Sequence, residues 1–180
     1  MLEIIRETPD DADAVEFLYD LAFAPGRHAL SSYQLREGVA PVAELCFVAR
    51  DEAAIAGAIR YWPVAIGDRR APCLLLGPIA VHPTRQGEGV GALLMGETLE
   101  RAQALGWRRA LLIGDGAYYS RFGFSGETAA GVEFPPPTNP DRVLARALSA
   151  GAFEGVSGRV VKWGSDPLPR FDQPEPGELI

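Results

Sequence analysis

The sequence has very few of the residues that bind metals or form disulfides. Its 180 residues include only two histidines and two cysteines, dispersed as His28, Cys46, Cys73 and His82. Such a set cannot supply a metal cluster, so we expect no metal site. Both cysteines lie in apolar runs, and the N-terminal residues lack the apolar core and cleavage site of a secretory signal. We therefore expect two buried, reduced thiols in a cytoplasmic protein.

Positive charge is also scarce. The chain has 17 basic and 24 acidic residues, a net charge of −7 and a pI of about 4.9. Without an excess of cations to neutralise phosphates, binding to nucleic acid or to an anionic membrane is disfavoured. No apolar run reaches the roughly 18 residues of a membrane span. A small anionic cofactor is not excluded, because backbone amides can bind one whatever the net charge.

The order of helix and strand signals indicates a single α/β domain. A helix is expected to begin at Thr8-Pro9, with Asp11 at the capping-box position, and to end at Pro25-Gly26. Further helices are predicted over 29–38 and 84–106, and strands over 2–6, 44–50, 53–66, 73–83, 108–115, 142–148 and 158–163. We assign the domain to residues 1–163 and expect the acidic, proline-rich residues 164–180 to form an extended or disordered tail.

A glycine-rich loop connects one buried strand to a helix. It contains Gln86, Gly87, Gly89 and Gly91. Glycines permit unusual backbone angles and let a ligand approach the amides closely. The first N–H groups of the helix have no partner within it, and the helix dipole adds roughly half a positive charge. The loop therefore predicts a phosphate-binding site, although a tight strand-to-helix connection without a ligand would use similar residues.

Two known glycine-loop motifs can be compared with this stretch. Residues 87–92, GEGVGA, match the dinucleotide motif G-x-G-x-x-[GA], and Asp115 ends the next strand where a ribose-binding acid would lie. The dinucleotide motif, however, follows its strand almost at once and usually opens its domain. Here VHPTRQ intervenes, and several predicted elements come first. A Walker loop is excluded because no Gly-Lys-[Ser/Thr] follows.

The chain also contains two motifs that resemble those of the GCN5-related N-acetyltransferase (GNAT) superfamily. Gln86, Gly89 and Gly91 match its signature [Q/R]-x-x-G-x-[G/A] at a strand–loop–helix junction. Residues 118–124, YYSRFGF, resemble the family element F-Y-x-x-x-G-F, with Tyr118 in place of the first Phe. The segments LGPIAVHP, GDGAYYSRFGF and SAGAFEGVSGRV further resemble a YhbS-like bacterial subgroup. The resemblance extends over residues 1–163.

The resemblance implies a fold and an activity. The fold would be a mixed, mostly antiparallel twisted sheet flanked by helices on both faces. The activity would be transfer of an acetyl group from acetyl-CoA, as co-substrate, to a primary amine by direct attack in a ternary complex. Tyr119 would be the catalytic residue, as the hydrogen-bond donor to the leaving thiolate. The main chain of Ile79, Ala80 and Val81 would bind the pantetheine arm, and the pyrophosphate would bind the amides of Gln86, Gly87, Glu88, Gly89, Val90, Gly91 and Ala92.

The acceptor is where the sequence is least informative. Arg27 and His28 lie between the first two helices, where the family usually shapes its acceptor site, so both are candidate substrate contacts. Glu44, which opens a predicted central strand, is the best carboxylate for a general base. We expect the loops 25–40 and 125–141 to set specificity. The acidic composition favours small or cationic amines over acidic ones.

Other functions and assembly states are open at this stage. The expected partner is a small-molecule or amine acceptor, with no nucleic acid and no membrane, and the protein would be a monomer or a homodimer. A non-catalytic CoA-binding sensor domain on the same fold is one alternative. A dinucleotide-binding oxidoreductase is the other.

Overall fold

The computed structural model describes residues 1–23, 26–52 and 54–171. These ranges contain eight strands and four α-helices. The strands are β1 (Leu2–Arg6), β2 (Phe47–Asp51), β3 (Ala54–Ile66), β4 (Ala71–Val81), β5 (Arg109–Ile113), β6 (Val132–Glu133), β7 (Val143–Ala147) and β8 (Gly158–Lys162). The helices are α1 (Ala12–Ala22), α2 (Ser31–Arg36), α3 (Val90–Ala104) and α4 (Gly116–Tyr119).

The strands form a mixed, mostly antiparallel sheet. Its main path runs β1-β2-β3-β4-β5-β7, and β8 pairs with β3 and with β6. Along the main path, β4 and β5 are the parallel neighbours, and every other pair is antiparallel. This arrangement confirms the fold class that the family resemblance implies. The described strands do not form the doubly wound parallel sheet that a dinucleotide-binding fold requires, so that alternative is wrong.

Helices cover both faces of the sheet. Successive side chains of a strand point to opposite faces. Val48 and Ala58 pack with α1, whereas their neighbours Ala49 and Ile59 belong to the core under α3. Because both faces are covered, β4 is buried along almost its whole length. Its apolar sequence is therefore continuous and does not alternate with polar residues.

A 3₁₀ turn, Pro9–Asp11, capped by Thr8 precedes α1, which begins at Ala12 and not at the predicted Thr8-Pro9. The Thr8 N–H donates to the Asp11 carboxylate at 2.9 Å, and the Asp11 N–H donates to the Thr8 carbonyl at 3.0 Å. The predicted capping box is therefore confirmed. The helix ends at Ala22, whereas the predicted stop at Pro25 lies outside the described residues.

Two other parts of the structure differ from the sequence prediction. The helix predicted from residue 84 begins only at Val90, because Gly87 and Gly89 have φ angles of 84° and 79° that a right-handed helix cannot contain. The two-residue strand β6 was not predicted, since it is too short to show a period. Both differences concern segments in which loop geometry outweighs the residue pattern.

The first part of the predicted tail contacts the domain. The Phe171 ring packs edge-on against Trp107 with centroids 5.0 Å apart. It also approaches Gly106, where an added Cβ would lie 2.6 Å from the Phe171 Cβ. Residues 172–180 lie outside the described part of the chain, and the boundary after residue 163 stays a prediction.

Three properties of the described residues bear on metal binding, membrane insertion and the cysteine thiols. Within the described ranges, no three His, Cys, Asp or Glu side chains form a metal-binding group. No described helix is long and apolar enough to cross a membrane. Cys46 and Cys73 are both buried, as predicted, and burial raises the pKa of Cys46 to about 11.

Candidate active site

The parallel strands β4 and β5 separate halfway along their length. They pair at Leu74–Ala110 and Leu75–Leu111, and no described strand pairs with this edge of β4 beyond Leu75. A cavity of about 440 Å³, here called the cleft, opens where they separate, with Ile79 among the residues that line it. The opposite edge of β4 stays paired with β3 through Val81. The cleft edge of β4 is thus free to receive an extended ligand as an added strand.

The three predicted strand residues at this edge differ in environment. Ile79 lines the cleft, whereas the Ala80 side chain is buried against α1 on the other face of the sheet. Val81 lies next to the glycine loop, where its Cγ2 would be 3.6 Å from a Cβ added at Gly91. Any contact from Ala80 to a ligand must therefore come from its main chain.

The glycine loop adjoins the N-terminus of α3. Gly87 and Gly89 have positive φ angles, and a Cβ at either would meet nothing within 4 Å. The backbone N–H groups of Gly87, Gly89, Val90 and Gly91 donate to no acceptor among the described residues. Together with the helix dipole, these open and unpartnered amides form a site that fits a phosphate group.

The remaining residues predicted to bind the pyrophosphate are Gln86, Glu88 and Ala92. Gln86 is exposed at the end of a 3₁₀ turn. The Glu88 N–H donates to the Arg85 carbonyl at 3.4 Å, and the Glu88 carboxylate accepts from Arg85 at 2.7 Å. The Ala92 N–H, in the first turn of α3, has no acceptor among the described residues. The free amides are therefore those at the two positive-φ glycines and in the first helical turn.

Tyr119 is positioned by a close contact with a glycine. A Cβ added at Gly114 would lie 2.3 Å from Tyr119 Cε2, so only glycine lets the ring occupy this place. The Asp115 carboxylate accepts from the Ala117 N–H at 2.9 Å and caps the short helix that carries the tyrosine. Gly114 was not among the site residues predicted from the sequence, although a glycine directly after a buried strand can indicate a close contact.

The Tyr119 side chain lines the cleft as a neutral phenol. Its hydroxyl has no hydrogen-bond partner among the described residues. Burial raises the pKa of Tyr119 above its usual value, so the hydroxyl carries its proton at neutral pH. It is therefore available to donate a hydrogen bond.

Tyr118 links Tyr119 to the start of α3. The two rings meet edge to face with centroids 4.9 Å apart. The Tyr118 hydroxyl lies 3.2 Å from the place that a Cβ at Gly91 would occupy. On the other side, the Arg121 guanidinium lies 4.7 Å from the Tyr118 ring centroid. Gly91 is thus needed for packing against Tyr118, unlike the open positions at Gly87 and Gly89.

A second cavity, of about 370 Å³, adjoins the cleft and is called the side pocket here. Both cavities are lined by Tyr33, Arg36 and Pro78. Further side-pocket residues come from α1, α2, β3 and the segment between the helices: Glu16, Arg27, His28, Gln34, Glu37, Arg60 and Trp62. The structure therefore brings Arg27 and His28 to the wall of a pocket beside the cleft.

The guanidinium group of Arg27 is already bound by the protein. It donates to Glu16 at 2.8 Å, to Asp20 at 2.9 Å and to the Tyr33 hydroxyl at 2.9 Å. His28 packs edge-on against the same Tyr33 ring with centroids 5.0 Å apart. In this arrangement Arg27 holds α1, Tyr33 and the pocket wall together.

Arg60 is bound in the same way. It donates to both carboxylate oxygens of Glu7 and, at 2.6 Å, to Glu16. Burial alone would raise the pKa of Glu16, but hydrogen bonds from Arg27 and Arg60 outweigh it and hold that pKa below the usual range. Glu16 is therefore anionic and a weak base.

Glu44 is not brought to either cavity. It is exposed in a 3₁₀ turn, Ala43–Leu45, that precedes the strand which it was expected to open. The turn is closed by the Leu45 N–H donating to the Val42 carbonyl at 2.8 Å. Glu44 does not line the cleft or the side pocket.

Comparison with known proteins places this architecture in a family. Residues 43–126 match the family described as "Acetyltransferase (GNAT) domain". The uncharacterized N-acetyltransferase YhbS of Escherichia coli K12 is 28% identical over 155 residues, which are 86% of this chain and 92% of YhbS. The uncharacterized N-acetyltransferase YjhQ of the same organism is 30% identical over 130 residues, 71% of each chain.

Solved structures show the same likeness. Escherichia coli YhbS in complex with CoA superposes with a TM-score of 0.78 at 26% identity, over 90% of this chain and 89% of that one. A GNAT acetyltransferase from Brucella melitensis in complex with acetyl-CoA gives 0.68 at 26% identity, over 92% and 97% of the two chains. The fold and the cleft define an acyltransferase. The chain belongs to the GNAT family of N-acetyltransferases.

Proposed function

We propose that this protein binds acetyl-CoA in the cleft and transfers the acetyl group to a primary amine bound in the side pocket. The observation that carries this proposal is the set of free amides at Gly87, Gly89 and the start of α3, next to the open edge of β4. The relatives crystallised with CoA and acetyl-CoA support it by analogy.

The chain's own groups fit the proposed co-substrate. The free amides of the loop and the positive end of the α3 dipole would bind the pyrophosphate. The space at Gly87 and Gly89, where an added Cβ meets nothing, lets a phosphate approach the backbone. The main chain of Ile79, Ala80 and Val81 would hydrogen-bond the pantetheine arm as an added strand.

The proposed reaction needs two groups besides the substrates. The amine nitrogen attacks the thioester carbonyl carbon, the C–S bond breaks, and the sulfur leaves with its electron pair. Tyr119 is the proposed donor to that sulfur, because it is a neutral phenol in the cleft whose hydroxyl has no partner among the residues that the structure describes. The amine must also lose a proton, and an ammonium ion has no lone pair with which to attack.

The side pocket limits which carboxylates could accept the proton of the amine. Glu16 and Glu37 are the carboxylates among the described lining residues. Glu16 is held anionic by two arginines and is a weak base. We therefore assign the proton to Glu37 or to water, in place of Glu44.

Adjoining cavities support direct transfer in a ternary complex. Because the cleft and the side pocket share wall residues, both substrates can be bound at the same time. Arg27 and His28 would then shape the acceptor pocket. A cytoplasmic location and a monomeric or homodimeric state stay predictions.

Thermal unfolding with four ligands tests the proposed co-substrate. Acetyl-CoA, CoA, NADH and NADPH are each added in excess to the purified protein. A ligand at about 100 times its Kd adds about 2.7 kcal/mol, or several degrees in Tm for a chain of this size. We expect a shift with acetyl-CoA and CoA. No shift with either, or a shift with a nicotinamide alone, would overturn the proposal.

Release of the CoA thiol separates an enzyme from a sensor domain. The protein is incubated with acetyl-CoA and a set of primary amines, and free thiol is measured against time. An enzyme releases thiol in proportion to the amine and yields the acetylated amine by mass spectrometry. A domain that only senses CoA would be stabilised by acetyl-CoA but would release no thiol above the rate without amine.

A further inference from the structure

Arg36 is a buried cation for which the described residues supply no anionic partner. It is the last residue of α2, is 7% exposed and lines both cavities. Its Nε and Nη1 are buried and have no hydrogen-bond partner in the described part of the chain. The guanidinium carbon lies 4.6 Å from the Tyr33 ring centroid. Burial lowers the pKa of Arg36 to about 10, so the group remains charged at neutral pH.

Two other arginines of the side pocket have the anionic partners that Arg36 lacks among the described residues. Arg27 and Arg60 line the same pocket, and each is bound by two carboxylates. Arg36 has no carboxylate within ion-pair distance among the described residues. A buried charge without a counter-ion destabilises a fold, so such a group is usually paired or bound to a ligand. The pattern indicates that the anion for Arg36 comes from outside the chain.

A second buried donor lines the same pocket. The indole Nε1–H of Trp62, on β3, also has no hydrogen-bond partner within residues 1–23, 26–52 and 54–171. Arginine presents a planar fork of N–H groups that matches the two oxygens of a carboxylate, and the indole can donate one further hydrogen bond. Because Arg36 and Trp62 line the same pocket, one ligand there can contact both side chains.

We infer that the acceptor is a small amine that also carries a carboxylate group, and that Arg36 and the Trp62 indole bind this carboxylate. This inference rests on the proposed function. One cation and one neutral donor match a single negative charge. A phosphate carries close to two charges and would also face the carboxylates of Glu16 and Glu37 in the same wall. The volume of about 370 Å³ suits a molecule of amino-acid size.

Matched acids and amides test this inference. Thiol release is measured with a panel of amino acids and their carboxamides, which keep the amine and the side chain but lose the negative charge. The proteins are the wild type, Arg36→Met, Arg36→Lys and the exposed control Arg69→Met. The acid-to-amide ratio of kcat/KM is compared between proteins, so that differences in amine basicity cancel. O-phosphoethanolamine tests the phosphate alternative.

The expected result is a loss of acid preference in one variant. We expect Arg36→Met to lower the acid-to-amide ratio of the best acid by about ten- to a hundred-fold, chiefly through KM. Arg36→Lys should recover part of the ratio, and Arg69→Met should equal the wild type. A wild type that acetylates no acid better than its amide would overturn the inference. So would an unchanged ratio in Arg36→Met, or a preference for O-phosphoethanolamine over every acid.

The Tm of Arg36→Met and the affinity of the wild type for acetyl-CoA distinguish the possible causes of a lost acid preference. If Arg36 has no partner in the protein, Arg36→Met should raise Tm, because it removes an unpaired buried charge and keeps most of the side-chain volume. A Tm several degrees lower would show a structural role and contradict the inference. Separately, acetyl-CoA binding by the wild type is measured by calorimetry. Its absence would overturn the proposed function itself, whereas binding without acid preference overturns only the acceptor class.

Discussion

The cleft and the side pocket meet at Tyr33, Arg36 and Pro78 but are built in different ways. The cleft side offers backbone amides, an open strand edge and the neutral phenol of Tyr119. The side pocket is lined by charged side chains, most of them already paired with one another. The difference suggests that binding through the backbone suits a co-substrate of fixed structure, whereas side chains give a pocket its individual specificity.

The largest expected effect is on acetyl-CoA binding in the cleft, where backbone amides would hold the pyrophosphate. Gly89→Asp places a carboxylate at the N-cap of α3, where it would accept from the free amides and repel the pyrophosphate. We expect the Kd for acetyl-CoA, measured by calorimetry, to rise by at least about a hundred-fold, which corresponds to loss of about 2.7 kcal/mol.

Gly96→Asp is the matched control for this change. It adds the same charge to the same helix at an exposed position where a Cβ meets nothing within 4 Å. Its Kd should stay within about three-fold of the wild-type value. If Gly89→Asp binds acetyl-CoA as tightly as the control does, the phosphate site has been placed wrongly.

The next effect separates chemistry from binding within the cleft. Tyr119→Phe removes a hydroxyl that has no partner in the described part of the chain, so the fold should be unaffected. We expect kcat to fall by about ten- to a hundred-fold, with the Kd for acetyl-CoA nearly unchanged. Tyr118→Phe serves as the control and should retain most of the activity. An equal fall in both variants would mean that Tyr119 has no special role.

A smaller effect tests how Tyr119, the proposed catalytic residue, is positioned. Gly114→Ala would bring a methyl group within 2.3 Å of Tyr119 Cε2 and 3.0 Å of Leu112 Cδ1. We expect a loss of about 1–3 kcal/mol in the free energy of unfolding, measured with urea, and a lower kcat as the ring is displaced. At Gly116 the nearest atom is 4.0 Å from an added Cβ, so Gly116→Ala should cost nothing. Equal stabilities would contradict the proposed contact.

The smallest effect concerns the paired charges of the side pocket. The pKa of Glu16 lies below its ordinary value of 4.5 because hydrogen bonds from Arg27 and Arg60 outweigh burial. Its ion pairs therefore stabilise the fold above about pH 4.5, and this contribution is lost as the pH falls through the lower, folded-state pKa. Because Glu16 is half exposed, Glu16→Gln should cost only about 0.5–1 kcal/mol at pH 7.

The pH dependence provides the check on this last prediction. The difference in unfolding free energy between wild type and Glu16→Gln should shrink below about pH 4 and vanish at lower pH. Glu97→Gln, at an exposed position on α3, should show no such difference at any pH. Acetyl-CoA affinity should be the same in all three proteins, since Glu16 belongs to the side pocket. A constant difference across pH would show that the ion pairs are not its cause.

The same contrast explains how much of the site could be predicted from the sequence. The glycine loop and Tyr119 each lie within a few residues of their motif, so a local pattern located both on the correct elements. Positive φ angles at Gly87 and Gly89 delay the start of α3, and no residue period reports such angles. The fold class followed from the motifs and from the alternation of strands and helices.

The side pocket could be predicted only in outline. Arg27 and His28 were expected near the acceptor because they lie between two helices, and the structure places them in the pocket wall. Arg36 and Trp62 were missed because they lie on different elements, α2 and β3, and only the fold brings them to one pocket. Nothing in the sequence distinguishes Arg36 from the arginines that are paired.

The acceptor inferred from Arg36 differs from the one that the net charge alone favours. The overall charge of −7 favours cationic amines when it is treated as a uniform surface property. The pocket, however, contains one buried cation that lacks a counter-ion among the described residues. Local pairing, and not the sum over the chain, decides which charge a buried site binds.

Binding of acetyl-CoA through the amides of the glycine loop and the open edge of β4 can be tested without knowing the acceptor. Backbone ¹⁵N–¹H spectra would be recorded while acetyl-CoA is added to the labelled protein. We expect the largest shifts at residues 87–92, at Gly77 and at residues 79–81, with β1 and the β1–β2 pairing unaffected. Shifts concentrated elsewhere, or none at saturating acetyl-CoA, would contradict it.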